Sequence, residues 1–291
     1  MAGPSFRAAP VRVRVPATSA NLGPGFDAFG LALGLHDDVV ARIGEGGVHV
    51  DVAGEGADDV PRDKRNLVAK AMRAAFDAMG GQPRGIEVVC ANRIPHGRGL
   101  GSSAAAIVAG VLAARELVLG GLGDAEVLAL CAELEGHPDN VAACLLGGLT
   151  LAYSATGAVR LPVDASIGVV AFVPGSKSST AKARRLLPDV VPHADAARNA
   201  GRAALLVEAL GRRPDLLMAA TEDLLHQPYR AEAMPRAAAL MSSLREAGIP
   251  AVISGAGPTV LAFGGEGFNA GRGWTAMPLP VDTEGAQVLA V

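Results

Sequence analysis

The sequence predicts an α+β protein, on two observations. Strand-like and helix-like segments both run through the chain, yet they do not alternate strictly, as a doubly wound parallel sheet would require. Hydrophobic residues make up 50% of the 291 positions while aromatics supply 3%, so Ala, Val and Leu must build the core. A chain of this length can bury a large core and hold one or two domains.

Taken in order, the alternating Val/Arg run at 11–15 has the period of a strand. Segments 39–43 and 48–52 read as a hairpin around the glycine-rich link 44–47. Asn66 is placed to cap a helix over 67–79, which Gly80 and Gly81 end. Segment 85–91 reads as a strand and the Ala-rich run 104–114 as a helix. Asp124 caps another helix toward Leu134, and Asp139 or Asn140 can cap a short one over 141–145. Strands are expected at 149–153 and 167–173, then helices over 180–187, 194–210, 214–225 and 235–247. Strands 251–253 and 260–263 flank the turn 255–258, and the tail after Gly264 carries no pattern.

The densest chemical signal lies between the strand at 85–91 and the helix at 104–114. It runs Pro95, His96, Gly97, Arg98, Gly99, Leu100, Gly101, Ser102, Ser103, Ala104, Ala105. Strand, glycine loop and helix start together make a phosphate cradle, because glycines let backbone N–H groups approach an anion and the helix adds free donors. No Gly-Lys-Ser/Thr follows, so this is not a Walker A loop, and the G-x-G-x-G spacing is not the dinucleotide fingerprint. Nor do the other protein-kinase signatures occur.

Three further segments hold polar residues in apolar surroundings. In 15–30, Asn21 and Asp27 sit in an otherwise apolar stretch, where buried polar groups need partners and a bound ligand can be one. In Glu135-Gly-His-Pro-Asp-Asn-Val141, the carboxylates Glu135 and Asp139 suit a Mg²⁺–phosphate site, although Asp139 can equally be a helix cap. Ser254-Gly-Ala-Gly-Pro-Thr259, with Gly255 and Gly257, is either a hairpin turn or a second anion-friendly backbone loop.

These four segments, in this order, resemble the GHMP kinases, and the P-A-T-S-A-N-L-G-P-G-F-D opening and H-P-D-N-V-A segment are similar to the homoserine kinase family within them. The resemblance spans about 11–263 and implies two α+β lobes, an N-terminal one like ribosomal protein S5 (1–160) and a C-terminal ferredoxin-like one (161–291), with the active site in the cleft between. It implies ATP, with its phosphates on the loop Pro95–Ala105 and Asn66 near the adenine, where helix capping is the alternative reading. It places Mg²⁺ on Ser103 and Glu135, with Glu133 as the alternative carboxylate.

The acceptor implied is L-homoserine, a small amino alcohol with an ammonium and a carboxylate. Asn21, Asp27, His137 and Asp139 match the acceptor side, with Asp27 toward the ammonium; Thr180, Arg184, Arg230, Gly255 and Gly257 complete it, the arginines toward the carboxylate. Asp139 and Asp27 are the candidate catalytic carboxylates; the hydroxyl proton goes to Asp139 or directly to phosphate. Ala143 stands where the family often has proline. A kinase for mevalonate or a sugar, or a non-catalytic nucleotide sensor of the same fold, are the alternatives. The product would feed threonine biosynthesis.

A formal net charge of −3 argues against nucleic acid as a partner. No apolar run reaches the length of a membrane span, and Met1–Pro10 lacks a signal core. Cys90, Cys131 and Cys144 fit buried thiols of a reducing cytosol. The expected partners are therefore small molecules, in the cytoplasm, with a homodimer allowed.

Overall fold

The computed structural model describes residues 4–178 and 180–290. Among them, seven strands form one sheet and four form a second, with helices packed on both.

The first sheet starts with β1 (Val11–Ala20), which runs antiparallel to β2 (Phe29–Gly44). Alternation sets the faces of β1: Val11, Val13 and Val15 point into the core, while Arg12 and Arg14 point out and share the Asp38 carboxylate at 2.9 and 3.2 Å. The expected hairpin after β2 does not form. β3 (Gly47–Gly54) lies parallel to β4 (Gly85–Asn92), and β4 inserts between β3 and β2. The connection from β3 to β4 contains α1 (Leu67–Ala78), and a parallel crossover with a helix buries more than a hairpin can. α1 lays Val68, Met72, Ala75 and Phe76 inward, and β4 lays Ile86, Val88 and Cys90 inward. The glycine link 44–47 allows β2 and β3 to splay around Gly85, which pairs with both Gly44 and Gly47.

α2 (Ser102–Leu117) is apolar on nearly every side and becomes the central helix of this lobe. α3 (Asp124–Glu135) starts one residue earlier in role than expected. Gly123 is its cap, and Glu126 reaches back to accept the Gly123 N–H at 2.8 Å, leaving Asp124 in the first turn. α4 (Asp139–Leu146), β5 (Leu149–Ser154) and β6 (Gly157–Leu161) complete the lobe's first pass.

The second sheet runs β10-β7-β9-β8, from β7 (Gly168–Pro174), β8 (Ala251–Ile253), β9 (Val260–Phe263) and β10 (Trp274–Pro280). Its helices are α5 (Thr180–Arg184), α6 (His193–Gly211), α7 (Leu217–Ala220), α8 (Gln227–Arg230) and α9 (Pro235–Glu246). Leu240 and Leu244 of α9 pack on Phe172 and Ile253. The helix expected over 214–225 breaks. The Asp223 carboxylate accepts the backbone N–H groups of Leu225, His226 and Gln227, and these bonds compete with a helical ladder. The helix expected over 180–187 ends at Arg184. The patternless tail supplies β10, the edge of the second sheet, and then β11 (Gln287–Leu289), which pairs with Arg12–Arg14 of β1. Placing all of 161–291 in the second lobe therefore overlooks a last strand that returns to the first sheet.

Candidate active site

The glycine loop lies at the seam of the two sheets. Gly97, Gly99 and Gly101 all have positive φ. At Gly99 a Cβ would overlap the Ser254 carbonyl oxygen, so only glycine allows the loop to dock on the 254–259 turn. That docking is held by the Ser254 hydroxyl on the Gly99 carbonyl (2.6 Å) and the Thr259 N–H on the Arg98 carbonyl (3.2 Å). Gly101 takes the left-handed conformation at the cap of α2 and offers no side chain to its amides, so the first-turn N–H groups are free for an anion.

Arg98 does another job from the one expected. Its guanidinium donates to the carbonyls of Pro174, His96 and Gly175, at 2.9, 3.1 and 3.2 Å, and so clamps the loop to the second lobe rather than facing the phosphates. Leu100, Ala104 and Ala105 are buried and leave mainly backbone for a ligand; Pro95 precedes the cradle and lines no part of it.

Two cavities meet at this loop. Ser102 and Ser103 line both. One runs between Val39, Val60, Pro61, Asn66, Cys90, His96 and Ala106, an apolar slot suited to a flat base. Asn66 lines it, but its amide is engaged: Oδ1 accepts the Val68 N–H and Nδ2 donates to Pro61, both at 2.9 Å. The capping reading describes the bonds it makes. Asp37, absent from the sequence candidates, lines the same cavity; burial raises its carboxyl against two backbone N–H bonds from Arg93 and Ile94. Nothing in the 37–38 pair distinguished it from Asp38, which is buried too but pairs with Arg12 and Arg14. Cys90 and Cys131 are buried thiols pushed up to about 12 by desolvation, and so are inert as nucleophiles.

The other cavity gathers the residues expected on the acceptor side. Ser103 donates to Glu135 Oε1 at 2.6 Å, while Glu133 points to solvent. Burial raises the Glu135 carboxyl, and so does Asp139; Ser103 and His137 pull it down. A carboxylate and a hydroxyl beside a phosphate cradle form the hard-oxygen donor set that Mg²⁺ accepts. Asp139 is 2% exposed at the start of α4 and accepts from His137 Nδ1 at 2.8 Å and from the Asn140 N–H at 2.7 Å. That bond from Asp139 raises the His137 pKa. Thr18, which the sequence did not single out, donates to Asn140 Oδ1 at 2.7 Å and fixes it under Gly101.

Asp27 and Arg184 were expected to face opposite ends of one ligand. They face each other instead, in a two-bond pair at 2.6 and 2.9 Å. Asn21 is likewise occupied: Nδ2 donates to the Gly255 carbonyl at 3.0 Å and Oδ1 accepts the Asp27 N–H at 3.0 Å. Its left-handed backbone (φ 70°) turns the chain into the cleft. Thr180, Gly255 and Gly257 line the cavity, with the Ser178 hydroxyl on the Gly257 carbonyl at 2.7 Å. Arg230 is 3% exposed and donates to the Ala183 carbonyl. Both guanidiniums lie over Phe26, Arg184 at 5.6 Å and Arg230 at 5.1 Å from the ring centre. Phe26 stood inside the segment 15–30, but a lone aromatic carries no signal of its own, and neither does a lone histidine such as His226.

Family profiles match both parts of the chain. The profile described as GHMP kinases N terminal domain matches residues 66–148, and the one described as GHMP kinases C terminal matches 196–277. The chain belongs to the GHMP kinases. It is 63% identical to the homoserine kinase of Streptomyces avermitilis across 99% of each chain, and 48% identical to that of Rhodococcus opacus across 96% of this chain and 93% of the relative. A crystal structure of homoserine kinase from Cytophaga hutchinsonii superimposes with a TM-score of 0.85 at 29% identity, covering 99% of this chain and 100% of that one. Among the GHMP kinases, this chain belongs to the homoserine kinase family. L. major mevalonate kinase, at 17% identity and a TM-score of 0.69, shares the fold alone.

Proposed function

We propose that this enzyme transfers the terminal phosphoryl group of ATP to the hydroxyl of L-homoserine, giving O-phospho-L-homoserine for threonine biosynthesis. The observation that carries the acceptor is the charge set on Phe26. One carboxylate, Asp27, and two guanidiniums, Arg184 and Arg230, converge there. A zwitterionic amino alcohol matches that set with both of its charges. Mevalonate brings only a carboxylate and a sugar brings neither charge, so once Arg184 turns from Asp27 to the ligand, Asp27 would be left without a counterpart.

Phosphoryl transfer asks for position and charge stabilisation more than covalent help. The slot at Val60, Asn66 and His96 would hold the base of ATP, and the amides of Gly97–Ser103 would hold its phosphates. Glu135 and Ser103 would hold Mg²⁺, which when bound would neutralise the phosphate charge. The acceptor lies beside Asp139, which the His137 and Asn140 donors hold on one oxygen. Asp139 positions the hydroxyl and takes its proton, and His137 balances the charge of the carboxylate. Asp27 exchanges part of its bond with Arg184 for the ammonium, and Arg184 with Arg230 takes the carboxylate. Among the described residues no helix is long and apolar enough to cross a membrane, and we place the reaction in the cytoplasm.

The test is coupled ADP release with homoserine, mevalonate, shikimate and galactose, with and without Mg²⁺. The expected result is Mg²⁺-dependent turnover with homoserine alone. Release with mevalonate or galactose and none with homoserine would overturn the reading.

A further inference from the structure

We propose that His226 is a positioning residue that joins Arg230 to the loop bearing Asn21 and Asp27, so that both halves of the acceptor site move as one. His226 is fully buried beside the cavity and does not line it. Its Nε2 lies 2.8 Å from the Gly23 carbonyl, which can only accept, so Nε2 carries the hydrogen. The neutral ring then has a free lone pair on Nδ1, 3.2 Å from Arg230 Nη1, which can only donate. One imidazole thus accepts from the guanidinium and donates to the loop. Few other side chains offer both at that separation.

The ring is itself held in place. It stacks on Phe26 with centroids 5.1 Å apart and planes 26° apart, and Phe26 is the ring that both arginines cover. Its backbone N–H is bonded to Asp223 Oδ2, and Asn199 ties the neighbouring Leu224 N–H to the Pro24 carbonyl. A 3% exposed guanidinium with only one other protein bond among the described residues, to Ala183, needs such a partner to keep its remaining N–H groups aimed at a carboxylate.

The arrangement requires a neutral ring. The charged groups facing it are Arg230, the Asp223 carboxylate at 3.5 Å, and Asp27 across Phe26. Burial, first, and Arg230 disfavour the imidazolium; Asp223, the Gly23 bond and Asp27 oppose them, and burial prevails, so the ring charges only below the ordinary histidine range. Once charged, Nδ1 presents a hydrogen to a guanidinium. The bond is lost and like charges meet.

The inference rests on the homoserine reading of the cleft, and steady-state kinetics of the full chain test it between about pH 5.5 and 8. His226→Asn keeps an oxygen near Nδ1; His226→Gln keeps an amide near Nε2; His226→Ala keeps neither. His226→Ala and His226→Gln should raise KM for homoserine by about 10-fold or more, with kcat and KM for ATP within about twofold of wild type. His226→Asn should recover part of that loss. The acid fall in kcat/KM for homoserine should shrink in all three. Equal rises in both KM values, or no rise in His226→Ala, would overturn the proposal. Nitrogen NMR of the ring in the unsubstituted protein needs no variant to fold: Nε2 should carry the proton, and Nδ1 should shift in Arg230→Lys. A protonated Nδ1 at neutral pH would overturn it as well. If wild type turns over mevalonate and not homoserine, the functional reading falls, while the ring's tautomer and its response to Arg230→Lys still decide the role of His226.

Discussion

The phosphate side and the acceptor side of this cleft are built from different materials. The phosphate side is backbone: three left-handed glycines and the first amides of α2, with no cation among the loop's own contacts to the cavity, since Arg98 is spent on carbonyls. The acceptor side is side chain: Asp27 with Arg184, His137 with Asp139, Arg230 with His226, each already partnered before any ligand arrives. A backbone site is rigid and answers poorly to charge. A paired side-chain site trades partners when it binds, so its affinity is a difference between two good arrangements.

The largest expected effect strikes the backbone half. Gly99→Ala would force a side chain onto the Ser254 carbonyl at a position whose φ is +80°. Strain and overpacking together should cost about 2–6 kcal/mol of stability and lower Tm by roughly 5 °C or more. KM for ATP should rise with it. A Gly99→Ala variant that melts like wild type and binds ATP normally would show that the loop does not need its clamp on the second lobe.

Next comes the junction between the halves. Glu135→Gln keeps the shape and removes the charge, so kcat should fall by about 10²-fold or more and the Mg²⁺ requirement should rise. Glu133→Gln, on the solvent face, should change kcat by about twofold at most. The reverse pattern would move the metal carboxylate to Glu133.

This division also explains what could be read in advance. The glycine cradle spans 11 consecutive residues from Pro95 to Ala105, and local turn chemistry suffices to recognise it. Acceptor contacts join residues 157 apart in Asp27–Arg184 and 122 apart in Thr18–Asn140. The family resemblance implied an amino alcohol as the acceptor, but no spacing could say that Asp27 and Arg184 bind one another. The same limit applied to the fold. Elements with a period of their own, such as β1 and α1, were legible. The pairing of β3 with β4 depends on where α1 packs, and the tail strands depend on open edges of β7 and β1, neither of which leaves a local pattern.

The acceptor half should break more gently than the cradle. Arg184→Ala leaves the ligand's carboxylate with one guanidinium and frees Asp27. A charged hydrogen bond is worth roughly 1.5–3 kcal/mol, so kcat/KM for homoserine should fall about 10- to 150-fold, mostly through KM. KM for ATP should hold. Asp27→Asn should cost less in the Arg184→Ala background than alone, because the two residues form one pair. Additive losses would mean that the pair opens fully in the complex.

The smallest effect separates His137 from His226 by sign. Asp139 bonds to His137 and raises its pKa, and that bond outweighs partial burial. For such a group the folded state binds protons more tightly than the unfolded state. Its stabilisation is complete below the ordinary histidine value near 6.5 and is lost as pH rises through the folded value. His226 is shifted the other way by burial, so its neutral form is stabilising above the ordinary value, and the folded protein weakens as pH falls toward the lowered one. Proton NMR titration should therefore find one ring titrating above free histidine and one below. Asp139→Asn should bring the first back toward the free value and flatten the decline in Tm on the alkaline side, leaving the acid side as it was. If Asp139→Asn instead changes the acid side, the carboxylate is not the partner of the ring that titrates high, and the charge balance drawn here for the acceptor hydroxyl is misassigned.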